Sequence, residues 1–225
     1  MHIKKFYGVE QAKEATDFVV MIDVFRAATT AACALSQGAQ EIIPVTTKED
    51  AFAFKALHPN TRMMGEDHGI PIPGFDYGNS PFLISSVDLT GITIVHRSTQ
   101  GTQGLVRATR ATTLVFGGFV TAGAICSLIK HVTPETVSFL VLAGVGTEDD
   151  LFADYMIDFL KGKQSDMNGI VKQLRKRYRS SWFFDPEKPE FPEDDFSFCL
   201  DTDKYDFVVE AERTPYLHLK KRRVL

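Results

Sequence analysis

Short apolar runs alternate with polar segments of helical character along the whole chain. Residues 3–7 suit a first strand, and a polar helical turn follows as far as Ala15. Residues 18–23, FVVMID, form an apolar run that ends in Asp23. A run that short, closed by charge, reads as a strand buried on both faces. Residues 29–37 are rich in Ala and Leu and stop at Gly38, which predicts a helix with glycine just past its end. A strand is expected at 41–45. Thr47, with Asp50 three residues on, predicts an N-capped helix to Leu57. His58-Pro59-Asn60 breaks that helix before a short strand at 62–64. Further on, strands are expected at 92–96, 113–116 and 137–142, and helices at 103–108, 121–130 and 148–160. Residues 167–179 predict a basic helix, 185–195 a loop rich in Pro and acids, and 207–210 a short strand. This alternation implies βαβ units and a largely parallel sheet in an α/β protein.

Between the two alternating regions lies GEDHGIPIPGFDYGNSP, residues 65–81. Its glycines and prolines argue against regular structure and for defined turns. It carries Glu66, Asp67, His68, Asp76, Asn79 and Ser80, and a shaped loop of this kind is commonly functional.

Composition narrows the classes. At 225 residues and 44% hydrophobic, the chain can bury the core of one domain or two closely joined halves. A net charge of −4 gives no basic footprint for nucleic acid. The basic runs KQLRKRYR and LKKRRVL are expected to be solvated. Three dispersed cysteines suggest neither a zinc site nor a disulfide framework. The amino terminus lacks a signal-like apolar segment, and the longest apolar stretch is too short to span a bilayer. A cytoplasmic protein with no membrane partner is the expectation.

Four segments carry the polar residues that chemistry would need: Asp23/Arg26, residues 66–80, residues 97–102 and residues 144–150. A carboxylate and a guanidinium at the carboxyl end of a strand stand where open α/β sheets place ligands. Phosphoryl transfer needs positive charge and oriented donors, and usually a hard cation held by carboxylates. Arg26 and Arg97 suit bidentate phosphate contacts. Ser98, Thr99 and the amides near Gly101 and Thr102, at a helix start, add donors. Asp23, Glu66 and Asp149 can hold Mg²⁺ or activate water. Structural roles compete for the same side chains: Arg26 as partner of Asp23, Glu66 and Asp76 as turn acids, acids 148–150 as helix N-terminal acids, His68 and His96 as hydrogen-bonded histidines.

Familiar signatures are missing. There is no GxxxxGK[ST], no HExxH and no GxSxG. AGVGTEDD lacks a full GxGxxG, and DVFR lacks the second acid of haloacid-dehalogenase-like phosphatases. What the chain does resemble is the 2-phosphosulfolactate phosphatase, or ComB-like, family. The pieces that carry the resemblance are IDVFRAATT, GEDHGIPIPGFDYGNSP, HRSTQGT, AGVGTEDD and the carboxyl-terminal FCLDTDKYDFV. GFDYGNSP together with DVFRA is the specific part, and the likeness runs over about the whole chain.

The resemblance implies a single three-layer α/β/α domain over residues 1–225 and a Mg²⁺-dependent phosphatase, in the named case one that releases phosphate from 2-phospho-3-sulfolactate on the way to coenzyme M. Carried onto this sequence, it points to Asp23, Arg26, Glu66, Asp76, Asn79, Ser80, Gly101, Thr102 and Asp149. The expected site then has Asp23, Arg26 and Arg97 as catalytic groups. Asn79, Ser80, Ser98, Thr99, Gly101 and Thr102 bind a small phosphoester, and Asp23, Glu66, Asp76 and Asp149 hold the metal. Whether Asp23 attacks phosphorus or binds the metal stays open. The family's usual turn carries threonines and Asn where this chain has His96, Arg97, Ser98 and Gln100. That departure keeps a second reading alive, an anion-binding or regulatory protein without turnover. A homodimer is also implied, with Trp182-Phe183-Phe184 as a contributing apolar stretch.

Overall fold

The computed structural model describes residues 1–177 and 180–224. Its amino-terminal half contains β1 (His2–Tyr7), β2 (Asp17–Ile22), α1 (Ala27–Ser36), β3 (Glu41–Val45), α2 (Lys48–Leu57), β4 (Arg62–Asp67), β5 (Ile70–Pro71), α3 (Pro81–Ile84), β6 (Thr93–Arg97) and α4 (Gly101–Arg107). There follow β7 (Ala111–Gly117), α5 (Ala122–Val132), β8 (Thr136–Val141), α6 (Glu148–Leu160), α7 (Met167–Leu174), α8 (Glu193–Cys199), β9 (Phe207–Glu212) and β10 (His218–Arg223). The strands form one mixed, mostly parallel sheet in the order β1-β8-β2-β7-β9-β10-β3-β6-β4-β5, with helices on both faces, consistent with a three-layer α/β/α fold.

Two parallel blocks make up this sheet. β1, β8, β2 and β7 run together, as do β3, β6 and β4. The β9–β10 hairpin joins them, antiparallel to its neighbours on both sides. The two blocks therefore run in opposite senses along the sheet. Sheet twist of about 20–25° per strand pair rotates β6 roughly 100–125° away from β2. The carboxyl ends of both blocks consequently meet at one cleft instead of lying on opposite edges.

The residue pattern accounts for the layers. Along β2, Val19 and Met21 join one core, while Phe18, Val20 and Ile22 join the other. Side chains alternate across a strand, so a strand covered on both faces reads as one unbroken apolar run. On the first face α1 is buried from Ala27 to Leu35 and touches β3, β7, β9 and β10. Its alanines keep it slim enough to lie between strands of both blocks. On the second face α5, α6 and α7 pack over Phe139 and Val141 of β8, with Phe152 of α6 in the same core. The expected cap at Thr47 is present: its hydroxyl accepts from the Asp50 amide at 3.0 Å, and the Asp50 carboxylate accepts from the Thr47 amide at 3.2 Å.

The structure corrects the sequence reading in four places. Residues 65–67, expected to be irregular, continue β4, which turns back as β5 through His68 and Gly69. Both turn residues have positive φ, as a two-residue type I′ hairpin requires. The 185–195 stretch is not loop throughout. Glu193 opens α8, where three successive acids favour the positive end of the helix, and Asp195 is fully buried. The basic helix ends at Leu174; Tyr178 and Arg179, expected to extend it, lie outside the described residues. Most of LKKRRVL is the strand β10 and not a solvated tail, with Leu219 fully buried beside Ile42 (Leu225 lies outside the described residues).

Because β10 closes the gap between the blocks, Leu219→Ala is expected to cost about 2–5 kcal/mol of stability. Urea denaturation followed by circular dichroism measures this; a loss under about 1 kcal/mol would mean that the hairpin is not a structural bridge.

Candidate active site

A cleft of about 320 Å³ opens where the strand ends converge, lined by Asp23, Phe25, Arg26, Glu66, Asn79, Thr99, Glu148, Asp149, Trp182, Phe183 and Phe191, among others. That size suits a small ligand. Asp23 comes from the end of β2, Glu66 from β4, Thr99 from the turn after β6, and Glu148 and Asp149 from the start of α6.

Backbone amides hold the acids. Asp23 Oδ1 accepts from the Ala27 amide at 3.1 Å, which fixes it at the start of α1. The Gly101 amide also donates to this carboxylate. A Cβ at residue 101 would stand 2.7 Å from Asp23 Oδ2, so glycine is what lets α4 approach. Asp149 accepts from Val24 N at 2.8 Å and Ala143 N at 3.0 Å, pinning α6 to the ends of β2 and β8. Desolvation, with Glu66 and Glu148 nearby, pushes the Asp23 carboxyl up to about 7. The same burial, with Glu148 and Asp23 beside it, raises Asp149 well above the carboxylate range. Neither carboxylate has a cationic partner among the described residues.

Glu66 is a clamp between loops. Its Oε1 accepts from Thr99 N at 2.6 Å, and its Oε2 accepts from Thr99 Oγ1 at 2.9 Å and Gly69 N at 2.5 Å. The 65–69 hairpin and the 98–100 turn are thus fastened to each other.

Arg26 forms the opposite wall, but its partner is not Asp23. Its Nη1 donates to Asp195 Oδ2 at 2.9 Å and Glu190 O at 2.8 Å, and its Nη2 to Gly69 O at 3.2 Å. The guanidinium also lies 4.5 Å from the centre of the Phe191 ring. Asp195 in turn accepts from Ser80 Oγ at 2.7 Å and Phe82 N at 3.0 Å. One buried carboxylate therefore ties the DVFR turn, the GNSP segment and α8 together. Burial raises the Asp195 pKa, and Arg26 offsets only part of that rise.

The other expected site residues fall elsewhere. Asp76 is exposed, accepts from Met63 N at 2.8 Å and pairs with Arg62, away from the cleft. Arg97 does not line the cleft; its Nη1 donates to Glu66 O and to Asp67 Oδ1, bracing the hairpin from outside. Ser98 and Thr102 bond each other, Ser98 Oγ accepting from Thr102 N and Thr102 Oγ1 from Ser98 N, both at 3.0 Å. Ser80 caps α3. The cleft-lining residues not on the expected list include Glu148 and the aromatic wall of Phe25, Trp182, Phe183 and Phe191, besides His68, Gly69, Gln100 and Ala143. Trp182 and Phe183, the stretch associated above with a homodimer, line this cleft.

No three described His, Cys, Asp or Glu side chains form a ready-made metal cage. Mg²⁺ does not need one: it takes one or two carboxylates and fills the rest of its shell with water and substrate oxygens. Asp23 and Asp149, uncompensated carboxylates in a cleft of this size, fit that requirement. Glu66 fits it less well, because its two oxygens already accept three protein donors.

Comparison with known proteins places the chain among phosphatases. Residues 6–214 match the family model described as 2-phosphosulpholactate phosphatase. A probable 2-phosphosulfolactate phosphatase of Bacillus subtilis is 28% identical over 218 residues, 95% of each chain. That of Carboxydothermus hydrogenoformans is 38% identical over 165 residues, 71% of this chain and 68% of its own. The Thermoplasma acidophilum protein of the same description is 31% identical over 196 residues, 85% of this chain and 84% of its own.

Two outcomes test this geometry. Asp195→Ala leaves the Arg26 guanidinium buried beside an empty site, and a loss of about 3–5 kcal/mol is expected; a denaturation midpoint equal to the wild type would rule out the latch. The second concerns pH. Asp23 holds its proton to about 7 in the folded protein but only to about 4 when unfolded. Its contribution is thus full below about pH 4 and lost as pH rises through 7. Metal-free Asp23→Asn protein should lose less thermal stability than the wild type between those limits; parallel curves would show that Asp23 is not perturbed.

Proposed function

The chain belongs to the 2-phosphosulfolactate phosphatase family, a family of phosphoric monoester hydrolases, and from that premise we propose that the cleft hydrolyses a small acidic phosphomonoester, 2-phosphosulfolactate or a close relative, with Mg²⁺ as cofactor. The observation that carries the reading is the pair Asp23 and Asp149. Both are set in the cleft by backbone amides, both are pushed toward the protonated form, and neither has a cationic partner among the described residues.

A phosphate dianion entering a cleft so rich in carboxylates would be repelled unless positive charge came with it. Asp23 and Asp149 would hold Mg²⁺. When bound, Mg²⁺ supplies charge neutralisation at the phosphoryl oxygens and polarises phosphorus toward attack. Arg26 adds a positive field from the wall, although both Nη1 hydrogens are already given to Asp195 and Glu190. Asn79 offers an amide donor from the cleft floor. The aromatic wall shields the bound ester from bulk water, which strengthens every charge contact inside. Glu66 and Thr99 keep the two loops around the substrate in register.

Release of phosphate from an aryl phosphomonoester in the presence of Mg²⁺, abolished by EDTA and restored by added Mg²⁺, is the expected result. Asp23→Asn is expected to lower kcat by at least about a hundredfold. Full turnover in EDTA, or wild-type rates for Asp23→Asn, would remove the metal and Asp23 from the reaction. Tight phosphate-ester binding without hydrolysis would instead identify a binding protein.

A further inference from the structure

His96 stands in β6 between Pro44 of β3 and Met64 of β4 and has no exposed surface. Its Nε2 lies 3.2 Å from Asn79 Oδ1, and its Nδ1 is buried with no hydrogen-bond partner. Those two facts fix the tautomer. With the proton on Nε2, the ring donates to Asn79 and only a lone pair is left unmatched at Nδ1. With the proton on Nδ1, a buried N–H would have no acceptor, and Asn79 would have to turn its amide nitrogen toward the ring. An unmade buried N–H is the more costly of the two, which is why such orphaned donors are rarer in folded proteins than unmatched acceptor lone pairs. Burial also keeps the ring neutral, with its pKa lowered to about 3.

Asn79 is held from a second direction. Its main-chain oxygen accepts from Thr30 Oγ1 at 3.3 Å, and the residue is 5% exposed. Only the amide nitrogen is left: Nδ2 donates to no protein atom among the described residues, and Asn79 lines the cleft. An amide whose oxygen is occupied from behind can present only its NH₂ group forward.

We propose that His96 is a positioning residue that acts through Asn79, its Nε2–H holding the Asn79 oxygen so that the Asn79 amide nitrogen is a fixed donor to a phosphoryl oxygen in the cleft. The proposal rests on the phosphatase reading for the identity of that oxygen. The histidine is neither acid nor base here. Its effect is preorganisation, since a donor already aimed at the substrate needs no reorientation on binding.

A double-mutant cycle tests it, with 4-nitrophenyl phosphate and Mg²⁺. His96→Leu and Asn79→Ala should each lower kcat/KM about tenfold to a hundredfold, and the double variant should fall no further than Asn79→Ala alone. His96→Gln, which keeps a donor near Nε2, should recover most of the loss. Additive losses, or a His96→Leu variant with unchanged kcat/KM, would overturn the proposal. The same cycle read as the calorimetric Kd of inorganic phosphate with Mg²⁺ separates failures: a protein that binds phosphate without hydrolysis sinks the phosphatase reading and leaves the cycle legible. Nitrogen NMR gives an activity-free check. The Nε2–H tautomer, unchanged above about pH 5, is required, and an Nδ1–H tautomer or a ring that titrates near neutrality contradicts it.

Discussion

Carboxylates in one poorly solvated cleft repel each other, and the structure is built around containing that repulsion. Asp23 and Asp149 are not neutralised by side-chain cations among the described residues; they are held by amides of Ala27, Gly101, Val24 and Ala143. Fixed backbone dipoles stabilise the charged form without closing the cleft, and they lower the pKa less than burial and like charge raise it. The result is a preformed carboxyl-rich pocket whose acids hold protons toward neutral pH when no cation is bound. Such a pocket gains most from a bound divalent cation, whose binding free energy is then also folding free energy.

Keeping those acids together needs elements that are distant in sequence. The opposed parallel blocks bring their carboxyl ends to one place only because the sheet is wide and twisted. Three polar clasps then lock the rim. Glu66 fastens the 65–69 hairpin to Thr99, Asp149 fastens α6 to β2 and β8, and Asp195 fastens α8 to Arg26 and Ser80. Each is a buried or half-buried carboxylate that gathers two or more donors, which is how such groups offset desolvation. The carboxyl-terminal segment is thus part of both the sheet and the site wall.

The legible parts of the sequence were those set by local pattern. Strand β2, the capped helix α2 and the acid-led α6 follow from hydrophobic period and capping chemistry within a few residues. The site was legible to the extent that polar residues fell at a strand end, as Asp23 does, or in the turn that follows one, as Asp149 does at the start of α6. Alternation along a strand hid other roles. In β6, His96 turns toward Asn79 while its neighbour Arg97 braces the hairpin from outside, though the two are adjacent in the same motif. Asp195 was hidden because its partner Arg26 is 169 residues away and its own surroundings read as a polar loop. Glu148 was masked by an ordinary role, since acids at a helix start need no further explanation. Asp76 shows the reverse: an acid inside the most specific motif that fastens its loop to β4 through the Met63 amide.

The most direct test of the account is calorimetric titration of Mg²⁺ into metal-free protein at a pH near 7, repeated in buffers of different ionisation heat. One binding event that releases protons is predicted, because the cation displaces protons from Asp23 and Asp149, and Asp23→Asn should remove the event. Absence of Mg²⁺ binding in the wild type, or binding of equal strength in Asp23→Asn, would contradict a metal site centred on this pair.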